Sequence, residues 1–462
     1  MAFPSHIYKA YDVRGIYPTE LNEDLAYATA RWFADMRQRE VGRADVTLVV
    51  GQDMRLSSPM IAAAVVRGLT EQGAHVVELG VVSTPTFYSV VARRGFDGGI
   101  QVSASHNPRE YSGLKFVRDH AGPVSADTGI NTLRDLVASG QLPDASGTVG
   151  VATMYAGDAA LESVLAAHDF VGDERYAAVK VVADTANCVG APDLDALFAT
   201  LDKCELDRIN WTLDGSFPSH EPDPFQDENL QQLHARVKEV GAALGVATDG
   251  DADRVFLVDE TGKTVSPVAL RSLIAEILLR THKGATIVYD VRPGRITEDV
   301  VRRMGGVPLI VRVGHSFIKQ TMLEHDAIFA GESSGHFFVR FPVGVYESPA
   351  VIVLMVLAEM ARTGKKASEL FAPYLVYTHS GEVNFRVTSV AEALEGMVAH
   401  FAPRSEVGRL DGVSFDIGET WFNVRGSNTE PLLRLNVEGK TEEAVAATVA
   451  EVRQALTPYL CA

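Results

Sequence analysis

The chain is predicted to be an α/β protein, with three similar mixed α/β units followed by a C-terminal α+β domain. Three stretches built on one plan predict the first part, and a change of pattern after about residue 370 predicts the second. The first stretch opens on the apolar strand VTLVV, turns at Gly51-Gln52-Asp53, and runs through AHVVELG to GGIQVSASHN. The second opens on VKVVADTAN, with its turn at Asp184, and ends in ALGVATDGDADR. The third opens on ATIVYD, with its turn at Asp290, passes through VPLIVRVG, and ends in AIFAGESSGH. β-Branched strands alternating with helical stretches imply parallel βαβ units, whose functional loops lie at the carboxyl ends of strands. After residue 370, strands such as VNFRV and LRLNVEG mix with the helical tail EEAVAATVAEVRQAL, which reads as α+β.

Length and composition agree with several domains. The 462 residues are 46% hydrophobic and 22% charged, so the chain can bury substantial cores. A formal net charge of −18 without a dense Lys/Arg run argues against nucleic acid as a partner. It does not exclude a phosphorylated substrate, because a basic pocket can sit inside an acidic envelope. Cys188, Cys204 and Cys461 form no CxxC pair, so a reducing cytoplasm is expected. The opening MAFPSHIYKAYDVRG lacks the apolar core of a signal peptide. The apolar run from Pro349 to Met360 is too short and interrupted to span a bilayer, so no membrane partner is expected.

The loop Asp249-Gly250-Asp251-Ala252-Asp253-Arg254 alternates three carboxylates after the apolar strand ALGVA. Anions ~4 Å apart repel by roughly 4 kcal/mol per pair at an effective dielectric of about 20. A hard divalent cation removes that repulsion, and oxygen ligands suit Mg²⁺ or Ca²⁺. A calcium EF-hand would place acidic ligands at the same spacing, and Glu260 falls where its last ligand belongs. Its sixth position must be glycine, however, and here it is Arg254.

Three further loops carry chemistry. Gln101-Val102-Ser103-Ala104-Ser105-His106-Asn107-Pro108 sets Ser105 on a turn that Pro108 keeps from being helical. That serine can be a nucleophile, a phosphate carrier or an ordinary turn residue; GxSxG is absent, which disfavours a hydrolase. Gly331-Glu332-Ser333-Ser334-Gly335-His336 offers a carboxylate and hydroxyls to adjacent sugar hydroxyls, or is a polar turn. Arg425-Gly426-Ser427-Asn428-Thr429-Glu430-Pro431 combines a guanidinium with amides and hydroxyls that suit phosphate, or is a capping loop before the strand LLRLNV.

Taken in order, YDVRG, SASHNP, GLK, DGDADR, GHSFIK, GESSGH and RGSNTEP resemble the α-D-phosphohexomutase superfamily, in particular its phosphomannomutase/phosphoglucomutase branch. The motifs run from residue 11 to residue 431, nearly the whole chain. The resemblance implies four domains around a central cleft, three of them similar. The expected boundaries are 1–150 with a phosphoserine loop, 151–256 with a metal loop, 257–370 with a sugar loop, and 371–462 with a phosphate loop.

The resemblance also implies roles. Ser105 is expected to carry the phosphoryl group, with Asp249, Asp251 and Asp253 binding Mg²⁺ together with an oxygen of that phosphoserine. Arg14, Lys115 and His315 are expected among the catalytic residues, and Tyr11, Arg254, Arg292, Glu332, Ser334 and His336 at the substrate. Arg425, Ser427, Asn428 and Thr429 match the distal phosphate site.

The implied activity interconverts hexose 1-phosphate and hexose 6-phosphate through a hexose 1,6-bisphosphate, which also serves as activator. The enzyme is expected to act as a monomer or homodimer. One departure is Arg292, where related dual-specificity enzymes often carry lysine; a guanidinium cannot readily act as a base. The segment FFVRFPVGVYESP also lacks the acidic run common in relatives. Rival readings are a phosphoglucosamine or phospho-N-acetylglucosamine mutase, a serine hydrolase or phosphatase, and a non-enzymatic phosphosugar- or calcium-binding module.

Overall fold

The structure is a computed structural model describing residues 3–145, 147–172, 174–426 and 432–461. It divides into two compact units, Met1–Val265 with Ser334–Ser368, and Ser266–Ser333 with Glu369–Ala462.

The first unit holds two large sheets. In the first sheet the strands run in the order Val13–Ile16, Tyr111–Arg118, Gly98–Val102, Thr47–Gln52, His75–Val81 and Ala152–Met154. Thr47–Gln52 pairs in parallel with both His75–Val81 and Gly98–Val102, as the βαβ reading requires. Tyr111–Arg118 then returns antiparallel to Gly98–Val102. The second sheet repeats the scheme: Lys180–Asp184 is parallel to Glu205–Ile209 and Leu244–Thr248, and Val255–Asp259 returns antiparallel to Leu244–Thr248.

These returns refine the expectation of loops at parallel strand ends. The serine loop and the aspartate loop are both reversals into an antiparallel strand. A parallel crossover needs about a dozen or more residues, and the intervals Val102 to Tyr111 and Thr248 to Val255 are too short for one. Strands on both sides of Asp249–Arg254 also remove the EF-hand alternative, which needs helices there.

Local signals explain the helix that reaches the aspartate loop. Ser83 caps Thr84–Arg94 by accepting from the Thr86 amide, Pro85 occupies the first turn, and Gly95 ends the helix in the left-handed conformation. Elsewhere in this unit, the helix Pro349–Thr363 takes up the apolar run noted above, and most of its side chains are buried. Phe337–Phe341 and Gly344–Glu347 form an antiparallel pair.

In the second unit, Thr286–Asp290 lies between Val307–Val311 and Phe329–Gly331, parallel to both. Its other sheet is antiparallel throughout, in the order Thr378–Arg386, Leu432–Gly439, Thr420–Gly426, Val413–Asp416 and Val407–Gly408. Phe401 on the helix Val390–Phe401 packs on Phe415 and Phe422, with ring centroids 5.3 and 4.8 Å away. The α+β expectation for the end of the chain is met. Among the described residues, no helix is long and apolar enough to cross a membrane.

Candidate active site

In the first unit the two reversals meet. Ser105 is 1% exposed and has φ 51°, left-handed and strained for a residue with a Cβ; such strain costs on the order of 1–3 kcal/mol. Its amide donates to Ser103 Oγ (2.9 Å), and its hydroxyl donates to Asp249 Oδ2 (2.9 Å), with His106 Nδ1 at 3.3 Å. Gly250 lets the two loops touch: a Cβ there would sit 2.3 Å from the Ser105 carbonyl oxygen.

Asp249, Asp251 and Asp253 are buried and can each offer an oxygen within 4.8 Å of the others. Burial, then Asp253 and Asp251, push the Asp249 carboxyl well above the usual carboxylate range. Asp251 is held by two donors on one oxygen, the Thr84 hydroxyl (2.5 Å) and the Lys115 ammonium. Its other oxygen, Oδ1, is buried without a hydrogen-bond partner among the described residues. An orphaned carboxylate oxygen in an all-oxygen donor set fits a hard divalent cation.

Cations surround this cluster. Lys115 Nζ also donates to Asp253 Oδ2 (2.6 Å). Burial alone would depress the Lys115 pKa, but Asp251 and Asp253 outweigh it and hold the ammonium charged, well above its ordinary range. Arg14 donates to Asp12 (2.7 Å) and to Asn107 Oδ1 in the serine loop (2.7 Å), beside the half-buried Tyr11. Arg254 donates from its backbone to Asp249 Oδ1 (3.2 Å) and from Nε to His336 Nε2 (3.1 Å). A backbone bridge between Arg254 and His336 sets that contact. Because Nε2 accepts, the ring hydrogen lies on Nδ1, which faces Asp253 Oδ1 at 3.4 Å and Glu347 Oε1 at 3.9 Å.

The second unit organises a different group. Asp290, fully buried, accepts from Arg271 (2.8 Å), from the Ser333 amide and hydroxyl (3.1 and 2.9 Å), and from Arg292. Glu332 Oε1 accepts from the Gly314 amide (3.1 Å) and pairs with Arg292 (3.1 Å). His315 opens the helix His315–Glu324 directly after that amide.

Arg425, at the end of Thr420–Gly426, pairs with Glu382 (3.0 Å). Burial, then neighbouring Arg292, lowers the Arg425 pKa; the Nε atoms of Arg425 and Arg434 are buried without hydrogen-bond partners among the described residues. Crowded, under-satisfied guanidiniums are stabilised by an anion. Ser427, Asn428 and Thr429 lie outside the described residues.

The structure thus brings together Ser105, the three aspartates, Arg14, Lys115, Arg254 and His336, and separately groups Arg292, Glu332 and Arg425. Sequence reasoning missed Thr84, Arg55 and Glu347. The turn aspartate Asp53, which accepts from the Arg55 amide (3.0 Å), was the one pointer to Arg55.

Residues 5–143, 161–262 and 267–377 match alpha/beta/alpha domains I, II and III of the phosphoglucomutase/phosphomannomutase family, and 382–455 match its C-terminal domain. The chain belongs to this family. A phosphomannomutase of Salmonella montevideo is 36% identical over 441 residues, 94% of each chain. A Xanthomonas campestris pv. campestris B100 protein named phosphohexose mutases is 36% identical over 444 residues, 96% of each chain. The crystal structure of a phosphoglucomutase/phosphomannomutase family protein from Burkholderia thailandensis superposes with a TM-score of 0.89 at 31% identity, covering 99% of this chain and 98% of that one. Membership in the phosphoglucomutase/phosphomannomutase family makes the chain an isomerase, an intramolecular phosphotransferase acting on hexose phosphates. Its buried acidic cluster is a candidate metal site.

Proposed function

We propose that the enzyme interconverts the 1- and 6-phosphates of mannose and glucose through a phosphoserine at Ser105 and a hexose 1,6-bisphosphate. The observation that carries this reading is the Ser105 hydroxyl held 2.9 Å from Asp249 inside a buried carboxylate cluster. A sugar hydroxyl attacks the Ser105-bound phosphorus, the Oγ–P bond breaks as the new O–P bond forms, and the proton lost by the sugar hydroxyl is matched by one gained at Ser105 Oγ, so the half-reaction is proton-neutral. The bisphosphate reorients and its other phosphoryl group returns to Ser105 Oγ, restoring the phosphoenzyme.

Asp249, Asp251 and Asp253, with a phosphoserine oxygen, would hold Mg²⁺, which would supply charge neutralisation at the phosphoryl oxygens. Lys115, Arg14 and Arg254 add fixed positive charge, and Thr84 fixes the rotation of Asp251. Asp253 and Glu347 orient His336, which with Arg254 takes part in substrate binding. Glu332 and Ser334 hold sugar hydroxyls, while Arg292 and Arg425, with Ser427, Asn428 and Thr429, take the non-reacting phosphate. Tyr11 completes the substrate contacts, and His315 belongs with Arg14 and Lys115 among the catalytic residues. On this reading the four domains, 1–150, 151–256, 257–370 and 371–462, each carry one functional loop. We place the enzyme in the cytoplasm, acting as a monomer or homodimer.

Mannose and glucose differ only at C2, and a site anchored on two phosphates and on hydroxyls away from C2 has little leverage over that epimer. Both 1-phosphates are expected to turn over, with N-acetylglucosamine 1-phosphate poorer. Catalytic efficiencies for the three sugars, measured at saturating Mg²⁺ and bisphosphate activator, test this; preference for the N-acetylated sugar overturns it.

Arg425→Ala removes a charge-assisted contact worth roughly 1.5–3 kcal/mol, so kcat/KM is expected to fall about ten- to a hundredfold. Phosphate on Ser105 is expected to survive this change. An unchanged kcat/KM removes Arg425 from the phosphate site.

A further inference from the structure

Arg55 is 1% exposed and aims its guanidinium at the serine loop. It donates to the carbonyls of Ser105 (2.6 Å), Asn107 (2.5 Å), Pro108 (2.7 Å) and Tyr111 (3.2 Å). The guanidinium is held from behind. Asp53 Oδ2 lies 3.3 Å from its Nε, Asp53 in turn accepts from the Ser58 hydroxyl, and the Phe217 ring stacks 5.0 Å away. Gly215 permits that packing, since a Cβ there would lie 2.6 Å from the Arg55 Cα.

The contact matters most at Ser105 itself. The carbonyl oxygen that Arg55 grips is the one that Gly250 makes room for, so the peptide following the reacting serine is fixed from two sides. Ser105 sits in the left-handed region, a conformation that persists only where its surroundings over-determine it. Oγ is leaving group in one half-reaction and acceptor in the other, and both require it in line with phosphorus.

We propose that Arg55 is a positioning residue: by collecting four carbonyls of the serine loop on one guanidinium, it holds Ser105 in the conformation that aims Oγ for in-line transfer. This rests on the reading of Ser105 as the phosphoryl carrier. Arg55 touches neither substrate nor the reacting atoms, so its loss acts on the rate of transfer and not on substrate binding. Lysine keeps the charge beside Asp53, but its ammonium has three donors on a flexible stem and cannot reproduce the planar fork.

The test compares wild type, Arg55→Lys and Arg55→Ala, each with the phosphate content of Ser105 measured by intact mass and peptide mapping. A misplacement of about 1 Å at a reacting group can cost roughly a hundredfold, so kcat is expected to fall about ten- to a hundredfold in Arg55→Lys with KM nearly unchanged. Amide exchange across residues 103–111 is expected to quicken while the rest of the sheet stays protected. Methylguanidine at low concentration is expected to restore part of the kcat of Arg55→Ala, which a purely structural role does not provide. Wild-type kcat in phosphorylated, folded Arg55→Lys overturns this inference alone. Absence of phosphate from wild-type Ser105 overturns it together with the function it rests on.

Discussion

Ser105→Ala is expected to lower turnover by on the order of 10⁴-fold or more, the scale seen when an enzyme loses its covalent nucleophile. The size follows from the double use of one atom. Oγ donates the phosphoryl group in the first half of the cycle and takes it back in the second, so its removal blocks both. Alanine fills the same left-handed backbone with no added bulk, and the fold loses only the hydroxyl's contacts to Asp249 Oδ2 and His106 Nδ1. The variant should therefore melt near wild type, bind phosphosugar and carry no phosphate on the serine-loop peptide. Intact mass, peptide mapping and a coupled turnover assay report these in one preparation. Full activity in Ser105→Ala, or phosphate found only elsewhere, removes Ser105 from the reaction.

Asp251→Asn carries the second-largest expected effect. One oxygen of Asp251 already serves Thr84 and Lys115, and the other is buried with no hydrogen-bond partner among the described residues. If the amide oxygen keeps the first pair, the NH₂ group points where a cation belongs and repels it. If the amide flips, its NH₂ faces the Lys115 ammonium. Either rotamer weakens the cluster, so Mg²⁺ affinity should fall by about a hundredfold or more, beyond what losing an indirect support costs. Loss of charge stabilisation at the phosphoryl group adds a kcat reduction of about 10²–10³-fold. Mn²⁺ competition followed by electron paramagnetic resonance measures the affinity without relying on activity. Undiminished wild-type turnover in excess chelator refutes the metal assignment.

Much of this site is legible in the sequence because its loops break the local rules. An alternating run of carboxylates at the end of an apolar strand has few physical uses, and SASHNP forbids a helix where one would otherwise continue. The three turn aspartates were visible as punctuation, and two of them do the same structural work. Asp53 and Asp184 each accept the amide two residues on (3.0 and 2.9 Å), while Asp290 accepts instead from Ser333. What was not legible depends on partners far along the chain. Arg55 and Arg271 carry no motif that singles them out, and nothing in their local sequence shows that one meets the carbonyl of Ser105 and the other those of Gly331 and Pro293. The antiparallel returns were hidden for a related reason: an apolar run such as VFLVD looks the same in either direction. Glu347 stands in the segment noted for lacking an acidic run, and it still places a carboxylate near His336, a placement made by the hairpin Phe337–Glu347.

The serine loop joins two interior strands of a six-stranded sheet, so it is not an appendage that can fray separately. Regions open locally at a free energy set by the contacts that must be undone, and loosely attached loops open far more readily than central strands. Here both ends of the loop are held by interior strands, and releasing the serine means first withdrawing a buried guanidinium from its carbonyls. While Arg55 is in place, heat therefore has no inexpensive partial opening through which to displace the reactive residue, and Ser105 keeps its position until its own sheet gives way.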